Sequence, residues 1–146
     1  MATRHATDEA EIRHHIDRWT EAIHAMDLES VMSIYAPDIV SFDIEPPLHY
    51  EGTAAKRKAW VETFAKFQPP MGYEVRDLAV TVGGDVAFGH SLNRVSATLK
   101  SGKRADFWLR WTTCFRKIDG HWLIAHEQIS VPVELASGRA ALNLQP

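Results

Sequence analysis

The stretch RADFWLRWTTCFRKIDGHWLIAHEQISVP, residues 104–132, contains two runs rich in β-branched and aromatic residues, separated by Asp119 and Gly120. Such runs are typical of β-strands, and a tight turn that contains Asp-Gly joins neighbouring antiparallel strands. The stretch therefore predicts a long β-hairpin near the C-terminus.

The second strand of this hairpin has an uneven distribution of polar residues. Side chains alternate between the two faces of a strand, so His126, Gln128 and Ser130 share a face with Trp122 and Ile124. One interpretation is a sheet face exposed to solvent. The other is a pocket that has an apolar wall at one end and polar groups at the other.

Two further strands precede the hairpin. The segments YEVRDLAVTV and VAFGHSLNRVSATL are separated by a turn at Gly83 and Gly84, and the second ends at the turn KSGK. Short connections of this kind predict consecutive antiparallel strands. A fifth strand, IVSFDIE at residues 39–45, is expected earlier in the chain and ends at Pro46.

Three helices are predicted in the first half of the chain. The first begins with Asp8 as its cap and buries a stripe at steps of three and four. The second follows Asp27 and is stopped by Pro37, and the third opens at Gly52. The buried stripes are Ile12, Ile16, Trp19, Ile23 and Met26 in the first helix, Leu28, Val31, Met32 and Tyr35 in the second, and Ala59, Trp60, Thr63, Phe64 and Phe67 in the third.

This order of elements predicts an α+β domain. Three N-terminal helices pack on a strongly curved, mostly antiparallel sheet, and the open end of the resulting cone encloses a pocket. The 146 residues fit a single domain over 1–146, with a core at about 8–133 and a C-terminal tail at 134–146 that has no clear pattern.

Composition excludes several classes of function. The net charge of −3 gives no basic surface for nucleic acid, and no uncharged run is long enough to span a membrane. The N-terminus lacks the apolar segment of a signal peptide, and the single cysteine, Cys114, fits a reducing cytoplasmic location. The eight histidines have no metal-ligand spacing, and no glycine-rich phosphate loop is present, so neither a metal nor a cofactor is predicted.

Three segments carry a family resemblance: LESVMSIYAPDIVSFD, YEVRDLAVTVGGDVAFGHSLNRVS and RWTTCFRKIDGHWLIAHEQISVP. Together they resemble the SnoaL-like, ketosteroid-isomerase-like branch of the nuclear transport factor 2 superfamily, over about Ala10 to Val133. The pattern is more specific for the fold than for function, because one fold hosts many activities.

The resemblance implies a catalytic base. In isomerase-like members an aspartate after a Tyr-Ala-x-Asp stretch removes a proton next to a carbonyl, and Asp43 stands at that position. The two oxyanion donors of the isomerase, a tyrosine and a protonated aspartic acid, are replaced by Trp19 and by Thr112 or Thr113. Steroid isomerisation itself is therefore not expected. An outward-facing, hydrated Asp43 is the alternative.

Alternation along the hairpin adds further candidates to this pocket. Arg110 is predicted to stabilise an anion or to pair with Asp43 or Asp106, and His126 is predicted to move a proton or to support a neighbour. The residues predicted to bind substrate are Trp19, Trp60, His90, Trp108, Thr112 and Gln128. For His90 a hydrated outer face is the alternative.

Two functions remain open at this stage. The first is a cofactor-independent isomerase, cyclase or dehydratase that acts on an apolar, ring-containing small molecule. The second is a ligand-binding or oligomerisation module of the same fold, or an accessory protein of secondary metabolism. Trp111 and Phe115 are expected on the outer sheet face. Because many superfamily members dimerise there, the resemblance implies a homodimer.

Overall fold

The structure, a computed structural model, describes residues 2–146. The sheet has six strands in the order β2-β1-β6-β5-β4-β3, and a separate two-stranded hairpin follows it. The elements are α1 Ala2–His24, α2 Leu28–Met32, β1 Tyr35–Phe42, β2 Tyr50–Glu51, α3 Gly52–Lys66, β3 Gly72–Gly83, β4 Val86–Thr98, β5 Arg104–Ile118, β6 His121–Ser130, β7 Val133–Glu134 and β8 Arg139–Ala140.

The predicted α+β architecture is confirmed. All neighbouring strands of the open sheet are antiparallel except β1 and β6, which are parallel. The helices cover one face of the sheet, and the core forms between them. Its largest fully buried apolar side chains include Trp111, Trp122 and Phe115 from the sheet and Ile12, Ile16 and Ile23 from α1.

The helix α1 begins earlier than the sequence indicates. Asp8 was predicted to cap it, but Asp8 lies inside α1 and is buried. Its Oδ1 accepts hydrogen bonds from Trp122 Nε1 at 3.0 Å and from Lys117 Nζ at 3.1 Å. These two donors, with Trp122 the larger influence, lower the pKa of Asp8. The Asp8 carboxylate therefore links α1 to the β5–β6 hairpin through these two hydrogen bonds.

The segment after α2 also differs from prediction. The helix ends at Met32, and Tyr35 and Pro37 belong to β1. The register of β1 against β6 shifts between Tyr35 and Val40, and such an irregularity tolerates a proline that cannot donate to the ladder. The short strand β2 was not predicted.

A β-bulge in β6 changes the direction of the side chains that follow it. Cys114 pairs with His126 while Phe115 pairs with Ile124, so Ala125 is the extra residue. An extra residue reverses the alternation beyond it. Trp122 and Ile124 therefore face the core as predicted, whereas beyond the bulge it is Glu127 that faces inward.

The tail is more regular than its sequence suggests. Val133–Glu134 pairs with Arg139–Ala140, and Gly138, with φ of 72°, lies in the connecting turn. Positive φ is a conformation that glycine adopts without steric cost. Within residues 2–146, no helix combines the length and the apolar character needed to cross a membrane.

Candidate functional site

An ion pair lies inside the cone between α3 and β6. Lys56 Nζ is 2.7 Å from Glu127 Oε2, and the two side chains are 2% and 0% exposed. Lys56 is directed inward because it lies one turn before the buried Trp60 on the same face of α3. Glu127 is directed inward because the bulge at Ala125 reverses the alternation of β6.

Glu127 is fully supplied with donors. Trp111 Nε1 donates to Oε1 at 3.0 Å, and the Ser41 hydroxyl donates to Oε2 at 2.9 Å, in addition to the Lys56 ammonium. A buried carboxylate is costly unless it is paired and hydrogen-bonded. These three contacts satisfy that condition for the ionised form of Glu127.

Lys56 is equally well supplied with acceptors. Its ammonium is 3.2 Å from Ser41 Oγ, 3.1 Å from Asp43 Oδ2 and 2.7 Å from Glu127 Oε2, which matches its three donors. Burial acts to lower the pKa of Lys56, but the negative charges, that of Glu127 first, outweigh it and leave the pKa raised. Lys56 is therefore a cation at neutral pH.

Asp43 is the outermost member of this group. Its side chain is 25% exposed, and its second oxygen, Oδ1, accepts the backbone N–H of Ile44 at 2.8 Å. Each carboxylate oxygen has two lone pairs, so both retain capacity for a further donor. Since the charges of Lys56 and Glu127 cancel, Asp43 supplies the net negative charge of the group.

A cleft of about 590 Å³ opens beside Asp43, where β1 and β6 end. The loop after β1 and the β7–β8 hairpin form its other walls. Its lining consists of Phe42, Asp43, Ile44, Leu48, His49, Gln128, Ile129, Ser130, Val131, Val133 and Ala140. Within residues 2–146, this lining contains one carboxylate, that of Asp43, and no Lys or Arg.

Aromatic side chains fill the cone behind the ion pair. Trp19 stacks on Trp111 with ring centroids 4.7 Å apart, and the rings of Trp60 and Tyr73 contact Trp19 at near-perpendicular angles. Trp60 Nε1 donates to the Tyr35 hydroxyl at 2.9 Å. Burial, assisted by the charge of Glu127, raises the pKa of Tyr35, so the phenol stays neutral. The space directly behind the ion pair is thus packed. Besides the cleft at Asp43, a second open region of about 670 Å³ lies between α1, α2 and the start of β6, away from the ion pair.

The SnoaL-like domain family matches residues 12–134, which is most of the chain. The chain belongs to the SnoaL-like domain family. A nuclear transport factor 2-like protein of unknown function from Pseudomonas putida KT2440 is 32% identical. The match covers 97% of this chain and 98% of that one, with a TM-score of 0.88. No functionally curated protein matches the sequence significantly.

More distant structures share the fold of this SnoaL-like domain. A ketosteroid isomerase-like protein from Erwinia carotovora atroseptica is 22% identical, with 83% of this chain and 93% of that one covered and a TM-score of 0.71. A candidate dehydratase of the nuclear transport factor 2-like family from Streptomyces avermitilis is 16% identical, with coverage of 88% and 99% and a TM-score of 0.77. At these identities the likeness concerns the fold alone.

Of the residues predicted for the site, the structure brings three to the inner face of the SnoaL-like cone. Asp43 lies at the cleft, and Trp19 and Trp60 are buried behind it. Trp19 Nε1, matched to an oxyanion donor by the resemblance, is buried and has no hydrogen-bond partner within residues 2–146. Trp19 and Trp60 do not line the cleft.

The predicted inward orientation of the β4 and β5 candidates is wrong. Trp111, Thr113 and Phe115 are buried on the inner face, so the expectation that Trp111 and Phe115 lie on the outer face is wrong as well. Trp108, Arg110 and Thr112 consequently lie on the outer face. Burial of the large apolar rings determines which face of β5 is the inner one. Arg110 donates to Ser130 Oγ at 3.0 Å, and the Arg76 guanidinium lies over the Trp108 ring.

The same correction applies to His90, Gln128 and His126. His90 is exposed on the outer face, paired in register with Thr112, which is the alternative considered from the sequence. Beyond the bulge, Gln128 and His126 also face outward. Gln128 reaches the rim of the cleft, whereas His126 Nδ1 is 2.7 Å from the Val40 carbonyl oxygen and its ring meets the edge of Phe42.

Lys56, Glu127 and Ser41 were not predicted. A signal existed for Lys56, because it precedes Ala59 and Trp60 by three and four residues on the inner stripe of α3. None existed for Glu127, since strict alternation directs it outward and the bulge has no glycine to mark it. Residues 2–146 contain no cluster of three or more side chains that could hold a metal ion.

Proposed function

We propose that this protein is a cofactor-independent enzyme in which Asp43 removes a proton next to the carbonyl of an uncharged, apolar, ring-containing molecule. One observation carries the proposal. Asp43 is a partly exposed carboxylate between a buried, charge-neutral Lys56–Glu127 pair and an open cleft. It is the member of the group that a ligand in the cleft can reach.

The proposed chemistry follows from the ability of the Asp43 carboxylate to accept a proton. Its carboxylate takes a proton from the carbon next to the carbonyl, and the C–H electron pair moves to form an enolate whose charge lies on the carbonyl oxygen. Return of the proton to another carbon is an isomerisation. Loss of a hydroxyl from the β-carbon as water is a dehydration, and attack on a second carbonyl is an aldol-type cyclisation. Each of these outcomes balances without an oxidant.

The lining of the cleft indicates the class of substrate. Phe42, Ile44, Leu48, Val131 and Val133 are apolar and suit a hydrophobic ring. The negative charge of Asp43 is not offset by any Lys or Arg in the lining formed by the described residues, so a ligand carboxylate or phosphate would be repelled. An uncharged ketone fits both features.

Proton exchange in heavy water tests the proposal. We expect the protein to accelerate loss of the C1 proton signal of 2-tetralone, a fused-ring ketone, above the rate in buffer. Phenylpyruvate, a ring-containing ketone that carries a carboxylate, is expected to be accelerated far less. A folded protein that accelerates neither probe would rule out this chemistry for the ketones of the proposed class.

A second candidate function is ligand binding without turnover. The observation that favours it is the packed interior, in which stacked Trp19 and Trp111 occupy the space behind the ion pair. The same experiment separates the two functions. Selective broadening of the 2-tetralone signals without exchange indicates a binding module, whereas exchange indicates an enzyme.

A homodimer through the outer sheet face is part of the proposal. Phe88 and Val86, neighbours on the outer face of β4, leave 52% and 59% of their surface exposed, and exposed apolar side chains on one sheet face favour association. Light scattering is expected to give twice the chain mass of 16.5 kDa. Phe88→Asp is expected to yield a monomer, and Val61→Asp on α3 serves as its control. A monomeric wild-type protein at micromolar concentration would contradict this.

A further inference from the structure

We infer that Lys56 is a positioning residue that holds the Asp43 carboxylate at the cleft, and that Glu127 keeps Lys56 in place. This inference rests on the proposed function. It assigns a role to two residues that take no direct part in the proton transfer. Lys56 is 2% exposed, so it acts on the substrate through Asp43 and not by contact.

The geometry fixes the carboxylate from two directions. Lys56 Nζ holds Oδ2 at 3.1 Å, and the Ile44 N–H holds Oδ1 at 2.8 Å. Asp43 follows the last residue of β1, so the ladder of the sheet does not fix its backbone. The side-chain contacts therefore decide where its oxygens lie in relation to the cleft.

The position of Lys56 is itself fixed by the sheet. Glu127 Oε2 and Ser41 Oγ accept hydrogen bonds from the Lys56 ammonium, and Trp111 Nε1 donates to Glu127. A continuous set of contacts therefore connects the buried middle of β5 with Asp43 at the edge of the cleft. The ring of Tyr35 lies 5.6 Å below the cation and adds a weak attraction. A carboxylate that is held through well-packed residues of the sheet is positioned more precisely than a carboxylate on a free loop.

The test compares two variants that differ only at Lys56. Glu127→Gln keeps an acceptor for Trp111 and leaves Lys56 beside Asp43. Adding Lys56→Met removes the ammonium without leaving an ionised Glu127 buried. Against Glu127→Gln alone, we expect the double variant to have a kcat for 2-tetralone exchange that is lower by about 10- to 100-fold, with little change in KM.

A second readout does not depend on turnover. The Ile44 amide donates to Asp43, so its hydrogen exchange is expected to be at least several-fold faster in the double variant than in Glu127→Gln, while amides in the middle of β5 stay protected. A folded double variant with the kcat and Ile44 exchange of Glu127→Gln would overturn the inference. If the wild type shows no 2-tetralone exchange, the proposed function fails and the Ile44 amide alone decides the inference.

Discussion

Replacing Asp43 with Asn is expected to reduce the rate of 2-tetralone proton exchange by about 100- to 10,000-fold, the usual contribution of a positioned general base. Asparagine has nearly the same shape, and its amide oxygen still accepts from Lys56 or Ile44. It is not a base near neutral pH. The fold and the cleft should therefore survive while proton removal does not.

Asp38→Asn is the matched control for this experiment. Asp38 lies on the same strand, β1, but its side chain is exposed and paired with Arg116 at 2.8 Å, away from the cleft. We expect Asp38→Asn to keep the wild-type exchange rate. If both variants retain the full rate, or if both lose it equally, Asp43 is not the base.

Replacing Lys56 alone with Met is expected to destabilise the protein by about 3–5 kcal/mol, because removal of one partner leaves a buried, uncompensated charge. Glu127 is fully buried, and the remaining donors to it, Trp111 Nε1 and the Ser41 hydroxyl, are neutral. Unfolding in urea, followed by tryptophan fluorescence, measures the loss. An unchanged urea midpoint would show that the ion pair does not form.

Glu127→Gln is expected to cost less than Lys56→Met. Lys56 then keeps the Asp43 carboxylate at 3.1 Å as a charged partner, and the new amide oxygen can accept from Trp111. Both single variants remove the Lys56–Glu127 ion pair. Lys56→Met leaves the Glu127 carboxylate without a charged partner, whereas Glu127→Gln leaves the Lys56 ammonium beside Asp43.

The sequence predicts the fold of this chain well because hydrophobic periodicity determines the elements. The stripe on α1 and the Asp-Gly turn between β5 and β6 are both local signals, and both are present in the structure. The resemblance placed Asp43 at the end of β1, where it reaches the cleft. Its role as a base stays a prediction.

The candidates on β4, β5 and β6 show where sequence reasoning reaches its limit. Alternation gives two faces for a strand but not which of them is inner, and for β5 the bulky Trp111 and Phe115 are buried, so Arg110 lies outside. The extra residue, Ala125, then places His126 and Gln128 on the outer face of β6 and Glu127 on the inner face. A bulge without glycine depends on the partner strand, which the local sequence does not reveal.

The central claim is that this bulge turns Glu127 inward to pair with Lys56 beneath Asp43. The most direct measurement is the coupling free energy between the two residues, obtained from the urea unfolding of the wild type, Lys56→Met, Glu127→Gln and the double variant. We predict that the double variant is more stable than the sum of the single effects implies, by at least about 2 kcal/mol. Additivity within about 0.5 kcal/mol would contradict the claim.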